Sequence, residues 1–180
     1  MSVPAAFLDR DGVINVDSGY VGRWKDFEYL PDAVEGLKQL QNAGFKLFVV
    51  TNQSGIARGY YTEDDFLSLT ATMTADLSAK GVTLSAVYYC PYLEDADLES
   101  YRVASDLRKP EPGMLLKAAN EHDIDLARSI MVGDKVSDMV AAERAGVPGR
   151  YHVTEGGPHH ASTKVSSLLD AALEATKTSA

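Results

Sequence analysis

Short apolar runs alternating with helical patterns constrain this chain more than any other feature. Ala5, Ala6, Phe7 and Leu8 form the first run, which reads as a buried strand. Residues 31–43 then place Val34, Leu37 and Leu40 at helical spacing and stop at Gly44. Residues 46–50 are a second strand. Thr62 with Asp65 resembles a capping box, and Phe66, Leu69, Met73 and Leu77 form one apolar face before Gly81. Residues 84–89 give a third strand and 129–132 a fourth. A helix over 137–145 closes at Gly146, residues 150–153 are a fifth strand, and 165–175 an amphipathic last helix. Such alternation marks βαβ units. The expected fold is α/β and Rossmann-like, a central, mainly parallel sheet with helices on both faces.

At 180 residues the chain fits one domain, 1–180, large enough to bury a core without staples. The single cysteine, Cys90, excludes an internal disulfide framework and points to a reducing compartment. No stretch approaches the roughly 20 apolar residues of a membrane span, and the first strand begins too early to leave room for a signal peptide. A cytoplasmic protein is expected. Its net charge of −9 argues against nucleic-acid and membrane partners but not against a small anion held by a local cationic cluster. Residues 90–112 are polar, carry three prolines and are too long for a neutral connector, so they are read as functional or mobile. The last few residues are expected to fray.

In open α/β sheets ligands gather beyond the carboxyl ends of the strands. Those ends carry Asp9 and Asp11, then Thr51, Asn52, Gln53 and Ser54, then Asp134, Lys135 and Asp138, while Arg108 and Lys109 lie just before the helical pattern that resumes near Gly113 with Met114, Leu115, Ala118 and Ala119. Two carboxylates one residue apart repel unless a cation compensates, and Mg²⁺ bound by hard oxygens would do so. Each group suits part of a phosphoryl transfer. Asp9 can attack phosphorus as a carboxylate. Asp11 can protonate the leaving oxygen and later take a proton from water, its carbonyl still reaching the metal. Asp134 is the third metal ligand. Thr51 offers a hydroxyl ahead of a turn rich in N–H groups, and Lys109 a fixed charge for the transferring phosphoryl. Lys135 holds either Asp9 or a phosphate oxygen, and Asp138 anchors either Lys135 or the loop. Any one of these elements alone is as easily an ordinary turn or solvated charge; their conjunction is what points to chemistry.

The sets Asp9-Arg10-Asp11-Gly12, Thr51-Asn52, Arg108-Lys109-Pro110 and Gly133-Asp134-Lys135-x-x-Asp138 resemble the four motifs of the haloacid dehalogenase (HAD) superfamily, in its DxD phosphatase branch. The match runs over about residues 3–153. More narrowly, Ile14-Asn15-x-Asp17-x-Gly19-Tyr20-Val21, the stretch from Gln53 through Gly59, Tyr88-Tyr89-Cys90-Pro91 and Pro112-Gly113-Met114-Leu115-Leu116 resemble the heptose 1,7-bisphosphate 7-phosphatase family, in the histidinol-phosphatase-like subfamily. The resemblance implies a HAD fold, Asp9 as nucleophile, Asp11 as acid and base, Mg²⁺ on Asp9, the Asp11 carbonyl and Asp134, and a role for Thr51, Arg108 and Lys109 in catalysis. It implies substrate contacts from Asp17, Ser18, Gly19, Tyr20, Thr51, Asn52, Gln53, Ser54, Arg108, Lys109 and Lys135. The implied reaction removes the C7 phosphate of a heptose bisphosphate on the route to lipopolysaccharide core heptose. A second phosphate needs a second cationic handle; Arg108 is the first candidate and Arg58 a weaker one.

Many members of the family carry zinc in the loop after the third strand, on Cys-x-His and Cys-x-Cys. Here only Cys90 stands; Tyr92, Ser105 and Leu107 occupy the other positions, and His122, His152, His159 and His160 do not restore the pattern. No zinc is expected. The inserted segments are short, so no separate cap domain is expected and the site should be open to small phosphosugars. A monomer is expected. The competing readings are a histidinol-phosphate phosphatase, a more distant polynucleotide 3′-phosphatase, against which the acidic balance counts, and a non-catalytic phosphosugar-binding protein.

Overall fold

A computed structural model describes residues 1–157 and 161–177. One six-stranded sheet runs β3-β2-β1-β4-β5-β6, with every neighbouring pair parallel. Its strands are β1 (Ala5–Leu8), β2 (Lys46–Asn52), β3 (Leu84–Cys90), β4 (Ile130–Gly133), β5 (Gly149–Val153) and β6 (Thr163–Val165). The helices are α1 (Ala33–Asn42), α2 (Ser54–Ala57), α3 (Glu63–Ala79), α4 (Gly113–His122), α5 (Val136–Ala145) and α6 (Leu168–Lys177). The Thr62 hydroxyl accepts from the Asp65 amide and the Asp65 carboxylate from the Thr62 amide, so the capping box that starts α3 is complete.

Alternation along β1 divides the core. Ala6 and Leu8 point to the layer that includes Leu37 of α1, Met73 of α3 and Leu168 of α6. Ala5 and Phe7 point to the layer that includes Met114 of α4 and Met139 of α5. This is the period-two geometry of a strand buried on both faces.

The structure departs from the sequence reading at two places. Val165, expected to start the last helix, lies in a sixth strand, and α6 begins at Leu168. Its three residues, Thr163, Lys164 and Val165, are too few and too polar to register as an apolar run. Residues 54–57, read as a turn, make one helical turn. The 90–112 segment, read as functional or mobile, is tied to the rest of the fold by backbone hydrogen bonds. Its 3₁₀ turn, Glu99–Tyr101, is flanked by bonds from the Leu93 amide to the Tyr101 carbonyl at 3.1 Å and from the Leu98 amide to the Ala57 carbonyl at 3.0 Å. His159, His160 and the expected frayed end lie outside the described residues, apart from Lys177 and those before it.

β1 lies between β2 and β4, so the chain leaves it in one direction and returns on its other side. That is the switch point at which the loops beyond parallel strands part and leave a crevice. Leu8 is in register with both Val49 and Val132, which brings the ends of β1, β2 and β4 side by side.

Candidate active site

The charged centre of the crevice is buried. Lys109 Nζ donates to Asp9 Oδ1 at 3.1 Å, to Asp138 Oδ1 at 2.5 Å and to the Val50 carbonyl at 2.8 Å. Its side chain is 2% exposed, Asp9's 8% and Asp138's 1%. Burial alone would strip the ammonium of its proton, but the carboxylates of Asp138 and Asp9 more than reverse that and hold its pKa above the ordinary lysine value. Lys109 is therefore a permanent cation. Asp138 Oδ2 accepts the Lys135 amide at 3.0 Å, so both of its oxygens are taken. It anchors the loop through Lys109, and the Lys135 side chain is left to line the cavity.

Asp134 faces Asp9 but takes no bond from the Lys109 ammonium. Ligand oxygens of Asp9, Asp134 and Asp138 all lie within 4.8 Å of one another. Burial first and Asp9 second push the Asp134 carboxyl up to about 8, and burial, then Asp138, raises that of Asp9. Asp134 Oδ1 is buried and has no hydrogen-bond partner. Gly12, at φ +83°, gives Asp134 its space: a Cβ there would sit 2.2 Å from Asp134 Oδ2. The strand-end turn thus brings the backbone beside Asp11 against Asp134. With Asp138 committed to Lys109, hard oxygens on Asp9 and Asp134 beside that backbone fit a small divalent cation.

The Asp11 side chain turns to other partners. Its Oδ1 accepts from Arg10 Nη2 and Asn15 Nδ2, each at 2.9 Å, and its Oδ2 from Gln53 Nε2 at 3.2 Å. Arg10 is fully buried; the same Nη2 reaches the Val21 carbonyl, and the guanidinium carbon lies 5.8 Å from the centre of the Phe66 ring.

Two adjoining cavities of about 310 Å³ each share Asp11, Asn52, Ser54 and Lys135. One continues over Asp9, Arg108, Lys109 and Asp138, the other over Asp17, Gly19, Tyr20 and Gln53. Arg108 Nη1 is buried with no hydrogen-bond partner.

Several expected site residues are placed differently. Ser18 is exposed and is not among the described residues that line these cavities; nor is Arg58. Thr51 is 1% exposed, its hydroxyl lying beneath the surface, where it accepts from Gln53 Nε2 at 2.8 Å. The Gln53 amide, one of the turn N–H groups read as a phosphate cradle, donates to the Cys90 carbonyl at 2.9 Å. Asn52 gives its side chain to the backbone of Lys109. Cys90 is a buried free thiol whose pKa is pushed up by burial.

Residues 106–171 match the family model described as HAD-hydrolase-like. The D-glycero-beta-D-manno-heptose-1,7-bisphosphate 7-phosphatase of Photorhabdus laumondii is 47% identical over 167 residues, spanning 93% of this chain and 89% of that protein. That of Escherichia coli K12 is 49% identical over 157 residues, 87% of this chain and 82% of the relative. The chain belongs to this family of HAD-like phosphatases. A solved HAD-like phosphatase, the D,D-heptose 1,7-bisphosphate phosphatase of B. bronchiseptica complexed with magnesium and phosphate, is 29% identical with a TM-score of 0.84, over 97% of this chain and 99% of that one. As a HAD-like phosphatase the protein is a phosphoric monoester hydrolase, and the Asp9–Asp134 pair fits the divalent metal such enzymes use. Among the described residues no helix is long and apolar enough to cross a membrane.

Sequence reasoning missed Arg10, Asn15, Tyr61 and Glu63. Arg10 and Asn15 stood inside or beside a motif, yet nothing marks an arginine as buried. Tyr61 and Glu63 looked like the ordinary approach to α3.

Proposed function

We propose that the protein is a Mg²⁺-dependent phosphatase that removes the C7 phosphate of D-glycero-D-manno-heptose 1,7-bisphosphate, acting as a single domain, 1–180. The observation that carries the reading is the Asp9–Lys109–Asp138 cluster facing Asp134 at the floor of a polar cavity. The substrate comes from the relatives' named activity.

Asp9 Oδ attacks phosphorus, and the bond to the sugar oxygen breaks to leave an aspartyl phosphate. Asp11, oriented by Arg10, Asn15 and Gln53, gives its proton to the departing oxygen. It then takes a proton from the water that hydrolyses the acyl phosphate, returning Asp9 as a carboxylate. Lys109 faces the negative charge spread over the phosphoryl oxygens without reorganising, because Asp138 and the Val50 carbonyl fix it. Thr51 sits below the same oxygens. Mg²⁺, held by Asp9, the Asp11 carbonyl and Asp134, would offset repulsion between the anionic nucleophile and the phosphate. Arg108, which lines the cavity beside Asp9 and Lys109, suits the phosphate that stays on the sugar, while Asp17, Gly19, Tyr20, Asn52, Gln53, Ser54 and Lys135 bound the sugar. The loop after β3 is proposed to work without zinc, because Tyr92, Ser105 and Leu107 lack its usual donor chemistry.

With Mg²⁺ and the bisphosphate, phosphorus NMR should show one phosphate released per sugar and the C1 phosphate retained. Loss of the C1 phosphate, or a far better rate on histidinol phosphate, overturns the substrate assignment. Asp9→Asn should abolish turnover.

A further inference from the structure

Tyr61 fills a slot where two loops of the cavity meet. A Cβ on Gly22 would lie 2.2 Å from its Cγ, and one on Gly55 would lie 2.3 Å from its Cε1, so both backbones press directly on the ring. Tyr61 is 6% exposed, and Ile56 and Phe66 complete its packing. Packing of this kind needs the ring alone; phenylalanine would supply it.

The hydroxyl has a separate partner. It donates to Gln53 Oε1. Gln53 is 2% exposed, and its Nε2 faces Thr51 Oγ1 at 2.8 Å and Asp11 Oδ2 at 3.2 Å. A primary amide has one accepting and one donating end, so fixing the first fixes the second. Turned the other way, the Gln53 carbonyl would face the Asp11 carboxylate, acceptor against acceptor.

We propose that Tyr61 is a positioning residue for phosphoryl transfer: its hydroxyl sets the direction of the Gln53 amide and, through it, the placement of Asp11 and Thr51. The proposal rests on the roles given above to those two residues. Its reach is local. Tyr61 also touches the cavity, but the chain from phenol to amide to carboxylate requires no contact with substrate.

The test is a cycle of Tyr61→Phe, Gln53→Leu and the double variant, each checked for fold by circular dichroism and compared for kcat and KM on a monoester that the wild type hydrolyses. Tyr61→Phe should lower kcat about three- to tenfold, the worth of one hydrogen bond, with little change in KM. In the Gln53→Leu background the same substitution should have no further effect. A loss that repeats in both backgrounds marks a structural role and overturns the proposal, as does a Tyr61→Phe variant with wild-type kcat. A second reading needs no activity. The Gln53 side-chain NH₂ should give two well-separated, slowly exchanging proton resonances that move to the solvent-exposed amide position in Tyr61→Phe, and resonances unchanged by the substitution overturn the proposal. If the wild type released no phosphate from the bisphosphate, the functional reading would fail while the amide resonances still decided this one.

Discussion

Asn52 and Lys109 exchange two hydrogen bonds: Asn52 Nδ2 donates to the Lys109 carbonyl and the Lys109 amide donates to Asn52 Oδ1, both at 3.0 Å. The side chain at the end of β2 thereby acts as a missing strand partner for the loop that carries the buried lysine. Asn52→Ala removes both bonds. It should cost about 1–3 kcal/mol in chemical denaturation and lower kcat on the order of 100-fold, because a displaced Lys109 no longer meets the phosphoryl group.

Lys109→Met keeps the length of the side chain and deletes its charge. Asp9 and Asp138 would then be buried together without a cation. Urea unfolding should show a loss of about 3–5 kcal/mol, and steady-state turnover should vanish. A variant of wild-type stability would contradict the ion-pair assignment.

The Asp134 carboxyl, raised to about 8 from 3.8, gives the metal-free protein a definite pH dependence. Between those values the folded state holds a proton that the unfolded chain has released, so stability is fullest below 3.8 from this group and declines as pH rises toward 8. In chelator, Tm should therefore fall across this window, and Asp134→Asn should flatten the fall. Mg²⁺ must displace the same proton, so its affinity by calorimetry should rise with pH and level off above about 8.

Glu63, in the first turn of α3, accepts from two phenols, Tyr89 at 2.6 Å and Tyr101 at 2.7 Å. Tyr101 belongs to the segment that leads to Arg108, so the carboxylate holds that segment to the body of the fold. Glu63→Ala should raise KM for a sugar bisphosphate about tenfold, the order expected for losing a charge-assisted bond, and leave kcat on a simple monoester near wild type. Equal losses on both substrates would place its effect elsewhere.

Strands β1, β2 and β4 and the residues at their ends were legible because burial on two faces demands continuous apolar runs, and the polar residues that interrupt them stand out. β6 was not, since an edge strand of Thr163, Lys164 and Val165 needs only one apolar contact. Within the site, residue type announced the charges but not their partners. Asp138 bridging Lys109 to the Lys135 backbone, rather than holding the Lys135 ammonium, depends on which side chain the fold buries. The links from Tyr61 to Gln53 and from Asn52 to Lys109 join residues 8 and 57 positions apart, and no periodicity records them.

Arg10 carries a consequence for anyone who would engineer this molecule. Its Nε and Nη1 are buried without hydrogen-bond partners while Nη2 serves Asp11 and the Val21 carbonyl. Unmet donors in the interior are a standing cost, but an apolar side chain in their place would leave Asp11 and the buried Val21 carbonyl without the donor they share. A hardier molecule would therefore have to replace Arg10 and Asp11 together, and in doing so it would surrender the residue that moves the protons.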